Sequence, residues 1–467
     1  MTNVLVIMAD EHQAKALGCA GHDVVQTPNL DALASQGTRF ENCWTPSPIC
    51  VPARASFATG TWVHENGSWD SAQAYCGDPR GWAHSVRDAG HQAVSFGKLH
   101  HRSAADDDGF TDRVSPMFIV GGIGWVQGLL RRDPLAYDEA AELAEEVGSG
   151  HTTYTRYDER VTERAEDWLA ARTPAEAPWA AFVSLVAPHY PLSAPDEFTE
   201  MYTLDDIAPP TIGCLEISHP AVAAVASFFD YGAYFDDALT LEGRRAYFAL
   251  CSWVDANVGR LLAALERSGC GDDTVVIFTS DHGEMLGERG LWCKSFMYQD
   301  SLRIPMIVAG PGVPAGAVNS TNVNLVDVGR TVTEVMGTDP VGGGESLLAT
   351  AAKSDPDRLA FSEYHDGGSI TGSFAVQHGP WKYVEHVDYP SELYNLDDDP
   401  LELADLGEDD RCKSERKACA DALRSICDPV AMNLAAFASQ EWLIAELGGR
   451  EAVASAFRFN ATPAPVN

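Results

Sequence analysis

The sequence predicts an α/β fold: a three-layer sandwich around a mostly parallel central sheet, followed by a smaller C-terminal α+β subdomain. Three observations carry this. Short apolar, β-branched runs at residues 4–8, 93–96, 180–186, 274–279 and 306–309 read as strands buried on both faces. Helical patterns lie between them, and strands alternating with helices favour parallel pairing. The texture changes after about residue 360, where short strands and turns replace the alternation. At 467 residues, 45% of them hydrophobic, the chain is long enough for a large core plus an appendage. The expected division is 1–360 and 361–467.

Taken in order, the first strand (4–8) ends at Asp10-Glu11. A helix over 29–36 stops at Gly37, a good C-terminal residue. The second strand leads into Lys98–His101, the third into His189, and the fourth into Asp281-His282. Ligands of open parallel sheets bind at the carboxyl ends of strands, so four strands are expected to bring polar groups to one edge. Helices over 160–171 and 244–267 carry apolar residues at helical spacing. Gly342–Gly344 reads as a loop near the join. Residues 374–384 read as a hairpin around Gly379-Pro380, 391–396 as a strand, and 397–400 as an acidic turn. Helices are expected over 413–426 and 441–457, before a Pro-rich tail, ATPAPVN.

Composition limits function. Lys+Arg number 32 against 68 Asp+Glu, a net charge of −36, which disfavours nucleic acids and highly anionic polymers and suits a small neutral or cationic substrate. There is no run of 18 apolar residues, so no membrane-spanning helix is expected. The start, MTNVLVIMADEH, lacks a basic n-region and its apolar run is cut short by Asp10, so it reads as a strand rather than a signal peptide and the protein as cytoplasmic. The 11 cysteines include no C-x-x-C pair, which argues against zinc ribbons and thioredoxin chemistry. Cys412, Cys419 and Cys427 are spaced for neighbouring turns of one helix and read as packing thiols. The block 104–108 (AADDD) reads as a solvated acidic turn, with a second cation site as the alternative.

Residues 50–60, CVPARASFATG, carry the strongest signal. Pro52 fits a first helical turn, which places Cys50 just ahead of a helix N-terminus where an anion is favoured. Arg54, one turn on, can face the same anion with its fork of donors. C-x-P-x-R, with Thr59-Gly60 behind it, resembles the signature of the sulfatase family in the alkaline-phosphatase-like superfamily. The resemblance implies an alkaline-phosphatase-like fold and oxidation of Cys50 to formylglycine, whose hydrate is the nucleophile. It also implies, for that oxidation, a formylglycine-generating or anaerobic sulfatase-maturating enzyme as partner.

Other segments match in order. Asp10 resembles the family's first metal ligand and Asp281-His282-Gly283-Glu284 its second ligand pair, with Glu11 and the position-50 side chain completing the set. Oxygen-rich donors with one imidazole suit calcium, manganese or magnesium. Glu11 and His282 depart from the residues many relatives carry, and His282 resembles the phosphonate monoester hydrolase branch. Gly97-Lys98-Leu99-His100 resembles G-K-x-H, which implies that Lys98 binds sulfate and His100 takes a proton from the diol. Pro188-His189-Tyr190-Pro191 resembles P-H-x-P, with His189 near the leaving oxygen, and Lys294 resembles the lysine that bonds sulfate or protonates that oxygen. Residues 393–406 resemble a late family segment.

The expected activity is therefore metal-dependent hydrolysis of a small aryl, alkyl or choline sulfate. The alternatives are a phosphonate monoester or phosphodiester hydrolase with the same nucleophile and, more remotely, a non-catalytic metal-binding protein. Residues 362–368 (SEYHDGG) resemble a segment of choline sulfatases, which implies Glu363 facing a cationic group with Trp125, Tyr190 and Trp292 as cation–π candidates. The resemblance also implies a homo-oligomer; no nucleic-acid or membrane partner is expected.

Overall fold

The computed structural model describes residues 2–137, 140–176, 178–215, 217–459 and 461–465. Eight strands build the central sheet: β1 (Asn3–Asp10), β2 (Gly37–Trp44), β3 (Gln92–Lys98), β4 (Asp112–Met117), β5 (Trp179–Pro188), β6 (Thr274–Ser280), β7 (Met306–Ala309) and β8 (Ala317–Asn324). Their order is β8-β2-β7-β6-β1-β5-β3-β4, and the two-residue strand Arg303–Ile304 adds to β2. The run β6-β1-β5-β3-β4 is parallel throughout. β8 also runs parallel to β2, and only β7 runs antiparallel to both its neighbours.

All five expected strands lie in this sheet. The alternation along β1 shows why their sequences look continuously apolar. Leu5, Ile7 and Ala9 enter the core on one face, and Val4, Val6 and Met8 the core on the other. Helices α1 (Pro28–Gln36), α3 (Thr153–Ala170) and α4 (Asp237–Ser268) cover the first face, and α2 (Cys50–Thr59) and α5 (Val326–Met336) the second. That gives the three layers of an alkaline-phosphatase-like sandwich. The strands β2, β4 and β8 were not legible. Their sequences (GTRFENCW, DRVSPM, AVNSTNVN) mix polar with apolar residues, and each lies away from the parallel centre. Their pairing comes from neighbours rather than from intrinsic preference.

By length and composition α4 is apolar enough to cross a membrane, but 72% of that stretch is buried inside the fold. It is a core helix, with Tyr247, Leu250, Val254, Val258 and Leu261 in the first core.

The last part of the chain forms an antiparallel sheet, β9 (Ala360–Tyr364), β10 (Ser373–His378), β11 (Trp381–His386) and β12 (Glu392–Asn395), in that spatial order. Helix α6 (Lys413–Ile426) covers it through Cys419 and Leu423, which meet Phe361, Phe374 and Leu393. Cys419 and Cys427 are buried there and Cys412 packs at the margin, although Cys412 precedes the helix and Cys427 ends it. The helix expected over 441–457 is corrected. Helix α7 spans Pro429–Glu446 and α8 only Arg450–Ala454, because Gly448 and Gly449 between them take positive φ of 98° and 89°. The start of α7 was readable: Asp428 caps it by accepting from Val430 and Ala431, with Pro429 in the first turn.

The acidic block is a turn, exposed at Ala104, Ala105 and Asp107 as expected, but its carboxylates are paired and Asp108 is buried. Asp106 pairs with Arg102, Asp107 with Arg87, and Asp108 with His101 at 3.1 Å and Arg113 at 3.5 Å.

Gly97 kinks β3 just before its last residue. Its φ is +90°, the β3–β4 register shifts between Phe96 and Lys98, and a Cβ on Gly97 would lie 2.1 Å from the Ser184 carbonyl oxygen on β5. Gly97→Ala is expected to cost about 2 kcal/mol or more, from positive φ and this backbone clash. The check is a lower urea midpoint at unchanged m-value.

Candidate active site

The carboxyl ends of the adjacent strands β6, β1, β5 and β3 lie side by side. They deliver Asp281, Asp10, His189 and Lys98 to one edge, as the strand-end pattern implied. Helix α2 begins at this edge with Cys50 as its first residue and Pro52 as its third, so the positive end of the helix faces the site. One turn later Arg54 is buried at the centre of the edge. Its Nε donates to Asp281 at 2.7 Å, one Nη to Asp10 at 3.0 Å, and the other Nη to the Lys98 carbonyl at 2.9 Å and Ser184 Oγ at 2.8 Å. Lys98 also contacts the Asp10 carboxylate. Burial works to raise the Asp10 pKa, but Lys98, His189 and Arg54 together hold it well below the ordinary range.

Donor atoms of Asp10, Cys50, Asp281 and His282 lie within 4.8 Å of one another, all buried. Cys50 Sγ is 3.1 Å from His282 Nε2 and 3.7 Å from Asp10. His282 Nδ1 lies 3.0 Å from the Gly283 carbonyl, which makes Nδ1 the protonated nitrogen and leaves the Nε2 lone pair facing the cluster, as metal-binding imidazoles require. Two carboxylates and a bare imidazole nitrogen therefore fit a divalent cation.

Glu11 stands beside this group. It takes positive φ (65°), its Oε2 accepts from Lys294 at 3.1 Å and lies 3.3 Å from His189 Nε2, and its buried Oε1 has no hydrogen-bond partner among the described residues. Burial, reinforced by Glu284 and opposed by Lys294, raises Glu11 to about 8. Glu11 shares a second donor cluster with Asp10 and His189.

Five reactive groups line a cavity of about 100 Å³: Cys50, Lys98, His100, His189 and Lys294. Burial, with Asp10 adding to it, lifts the Cys50 thiol to about 12. An unmodified Cys50 is thus a neutral, poor nucleophile near pH 7. His100 sits in the left-handed region (φ 52°) with both ring nitrogens buried and unpartnered. Burial, then Lys98 and Arg54, pushes its pKa well below the usual value, so the ring is neutral and able to accept a proton. His189 is neutral for similar reasons, burial first and Lys294 second. Its Nδ1 is 2.7 Å from the Tyr190 carbonyl, so Nε2 is unprotonated and accepts from Lys294 Nζ at 2.6 Å. Lys294 also lies 5.4 Å from the centre of the Tyr190 ring. Burial works against its charge, but Cys50, Glu11 and Asp10 outweigh it and raise its pKa.

The rest of the cavity wall is rich in aromatic side chains, Trp125, Tyr137, Tyr154, Tyr190, Phe229 and Tyr231, with Ile49, Val51 and Ile119 beside them and Ser71, Ser295 and Cys293 as further polar groups. No carboxylate lines it among the described residues. Trp125 and Tyr190 are where the sequence expected them. Tyr137, Tyr154, Phe229 and Tyr231 were missed because nothing local sets them apart from core aromatics, and Phe459, Ala461 and Thr462 arrive from the C-terminal tail.

Two expectations are corrected. Trp292 does not reach the cavity; it is buried against Phe235, with ring centroids 4.2 Å apart, over Gly243. Glu363 does not reach it either. Its Oε1 accepts from the His64 backbone N–H at 3.0 Å and pairs with His64 Nδ1 at 2.8 Å, and its Oε2 pairs with His365 Nε2 at 3.0 Å. It ties β9 to the segment that follows α2.

With this geometry in hand, comparison with known families is decisive. The model described as Sulfatase matches residues 2–338. The chain belongs to the sulfatase family. It is a sulfuric ester hydrolase. A second model, described as N-sulphoglucosamine sulphohydrolase, C-terminal, matches residues 287–427. The sulfatase is 32% identical over 425 residues to a choline-sulfatase of Rhizobium meliloti (strain 1021), covering 88% of this chain and 83% of that one. It is 28% identical to arylsulfatase K of Danio rerio, covering 91% and 84%. Among solved structures, the phosphonate monoester hydrolase of Agrobacterium radiobacter superposes with a TM-score of 0.74 at 22% identity, covering 91% and 95%, and so shares the fold.

If Glu363 is structural, Glu363→Gln should destabilise the protein while changing KM less than about twofold. Burial works against its charge, but His64 and His365 bring its pKa from 4.5 to about 2. A lowered carboxylate pKa stabilises the fold above the unfolded value, and that contribution fades as pH falls through the folded value. The wild-type advantage is expected to be on the order of 3 kcal/mol between about pH 4.5 and the pH at which His64, raised against its burial by Glu363, loses its proton, and to vanish below about pH 2, measured by urea unfolding across pH.

Proposed function

We propose that this sulfatase hydrolyses a small sulfate ester whose alcohol is aromatic, aliphatic or a quaternary ammonium, using formylglycine made from Cys50. The observation that carries the reading is the cavity itself, in which five reactive groups open onto a wall rich in aromatic side chains, with no lining carboxylate among the described residues. Aromatic faces suit aryl rings and quaternary ammonium groups.

Asp10, Asp281 and His282, with the position-50 side chain, would hold a divalent cation, and the unpartnered Oε1 of Glu11 offers a further lone pair. Such a cation supplies positive charge to the sulfuryl oxygens and lowers the pKa of a neighbouring hydroxyl. Hydrated formylglycine supplies one hydroxyl for displacement at sulfur and a second whose deprotonation frees sulfate and returns the aldehyde.

The chain's own groups divide the remaining work. Lys98 and Lys294 line the cavity as cations that bind and neutralise the sulfuryl oxygens. Arg54, held by Asp10 and Asp281, keeps the metal-binding carboxylates in place. His100, neutral and unpartnered, accepts the proton of the second hydroxyl. Lys294 protonates the leaving oxygen. Neutral His189 has its only proton on Nδ1, committed to the Tyr190 carbonyl, so Nε2 orients Lys294 rather than donating to the ester.

The test uses protein produced together with a formylglycine-generating enzyme. The tryptic peptide 40–54, after thiol alkylation, should carry an aldehyde at position 50 and an alkylated Cys43. Kinetics with 4-nitrophenyl sulfate, choline sulfate, a sulfated monosaccharide and a phenylphosphonate monoester should favour the first two. A preference for the phosphonate would move the protein to the alternative activity, and an alkylated thiol at position 50 in active protein would overturn the nucleophile. Cys50→Ala should lower kcat/KM by at least about 10³-fold. Lys294→Ala should lower kcat/KM on both ester types, through the lost contact to the sulfuryl oxygens, and by about tenfold or more further on alkyl sulfates than on 4-nitrophenyl sulfate, whose leaving group needs no proton. Chelation should abolish activity, and a divalent cation should restore it.

A further inference from the structure

The catalytic cavity is not walled by the catalytic sheet alone. Phe459, Ala461 and Thr462 line it too, although they lie in the final segment of the chain. After α8 the described residues of this segment have no regular secondary structure, and Thr462 meets Tyr154 where α3 begins. Three of the segment's backbone carbonyls accept from side chains of the catalytic part, and its Arg458 side chain donates to the Ala136 carbonyl at 3.4 Å. Gln127 Nε2 donates to the Ala456 carbonyl at 3.0 Å, the Tyr154 hydroxyl to Thr462 at 2.6 Å, and Arg160 to Pro465 at 2.7 Å. Tyr154 is itself a cavity residue, so one hydrogen bond joins the tail to the wall it completes.

The tail's composition suits that attachment. Pro463 and Pro465 have no N–H to satisfy and hold the chain extended before it docks, so less entropy is lost on ordering it. Ala461 and Ala464 pack against the first core, small enough to lie flat on it. Phe459 is the one bulky side chain the tail places at the cavity, and its exposed neighbour Phe457 stacks on it with ring centroids 6.3 Å apart.

We propose that this C-terminal segment is an in-chain strap forming part of the leaving-group pocket, and that Phe459 limits the size of the alcohol the sulfatase accepts. The inference rests on the sulfate-ester reading above. The strap determines specificity and takes no part in proton transfer, because none of its side chains is titratable in the stretch that lines the cavity.

The test compares full-length, matured wild type with Phe459→Ala and with Arg160→Met. The second variant loosens the strap from outside the cavity and leaves every cavity side chain in place. For each, kcat/KM is measured on 4-nitrophenyl sulfate and on a bulkier fused-ring aryl sulfate. Phe459→Ala is expected to raise the bulky-to-small ratio at least tenfold, and Arg160→Met to raise it in the same direction by less. A ratio within twofold of wild type in Phe459→Ala would overturn the proposal.

A second readout needs no turnover. In protein made without the maturating enzyme, Cys50 remains a thiol, and its labelling by a bulky against a small thiol reagent is followed on peptide 40–54. The bulky-to-small labelling ratio is expected to rise in both variants. If it rises in a protein that hydrolyses no sulfate ester, the strap stands and the proposed function falls. If esters are hydrolysed and neither ratio moves, the proposed function stands and the strap falls.

Discussion

Arg54 is the pin on which the site depends. One guanidinium bridges Asp10 at the end of β1 and Asp281 just beyond β6, and reaches the ends of β3 and β5 through the Lys98 carbonyl and Ser184. Because Arg54 lies one turn into α2, the same contact fixes the start of that helix, and with it Cys50, against the strand ends. Breaking a buried pair by removing one partner typically costs 3–5 kcal/mol, since a charge is left stranded. Arginine rather than lysine suits the place, because only a planar fork with several donors can satisfy two carboxylates and two further oxygens together.

The surrounding electrostatics follow from packing so many ionisable groups in one buried place. With −36 overall, the molecule's surface repels anions, yet its cavity presents Lys98 and Lys294. A local reversal of sign inside a low-dielectric recess draws a single small sulfate group and leaves polyanions disfavoured outside. The two cavity histidines stay neutral because burial and nearby cations both oppose a further positive charge. Their backbone partners then set their roles: His189 is committed through Nδ1, whereas the ring nitrogens of His100 have no partner among the described residues.

Much of this was written in local sequence. The five central strands were legible because burial on both faces makes them continuously apolar, and their polar terminal residues marked the functional edge. The C-x-P-x-R, G-K-x-H, P-H-x-P and D-H-G-E segments marked Cys50, Arg54, Lys98, His100, His189, Asp281 and His282, and with Asp10 at the end of the first strand and Lys294 these meet at one edge of the sheet. The outer strands β2, β4 and β8 were not legible, since their pairing depends on neighbours supplied by distant segments. Glu363 and Trp292 misled for the same reason. A carboxylate or an indole reads identically whether it faces a ligand or a structural partner, and here His64 with His365, and Phe235, took those places.

By itself the sequence determined the layer architecture, the family and the reactive groups, because each rests on residues close together in the chain or on a periodicity a short segment carries alone. The shape of the cavity was decided only by tertiary structure. Its aromatic wall gathers Trp125, Tyr137, Tyr154, Tyr190, Phe229 and Tyr231 from separate segments, and the tail from Phe459 onward completes it. No local pattern distinguishes an aromatic that faces a cavity from one that fills a core. The difference lies in what packs opposite it, and that is settled only when the whole chain closes on itself.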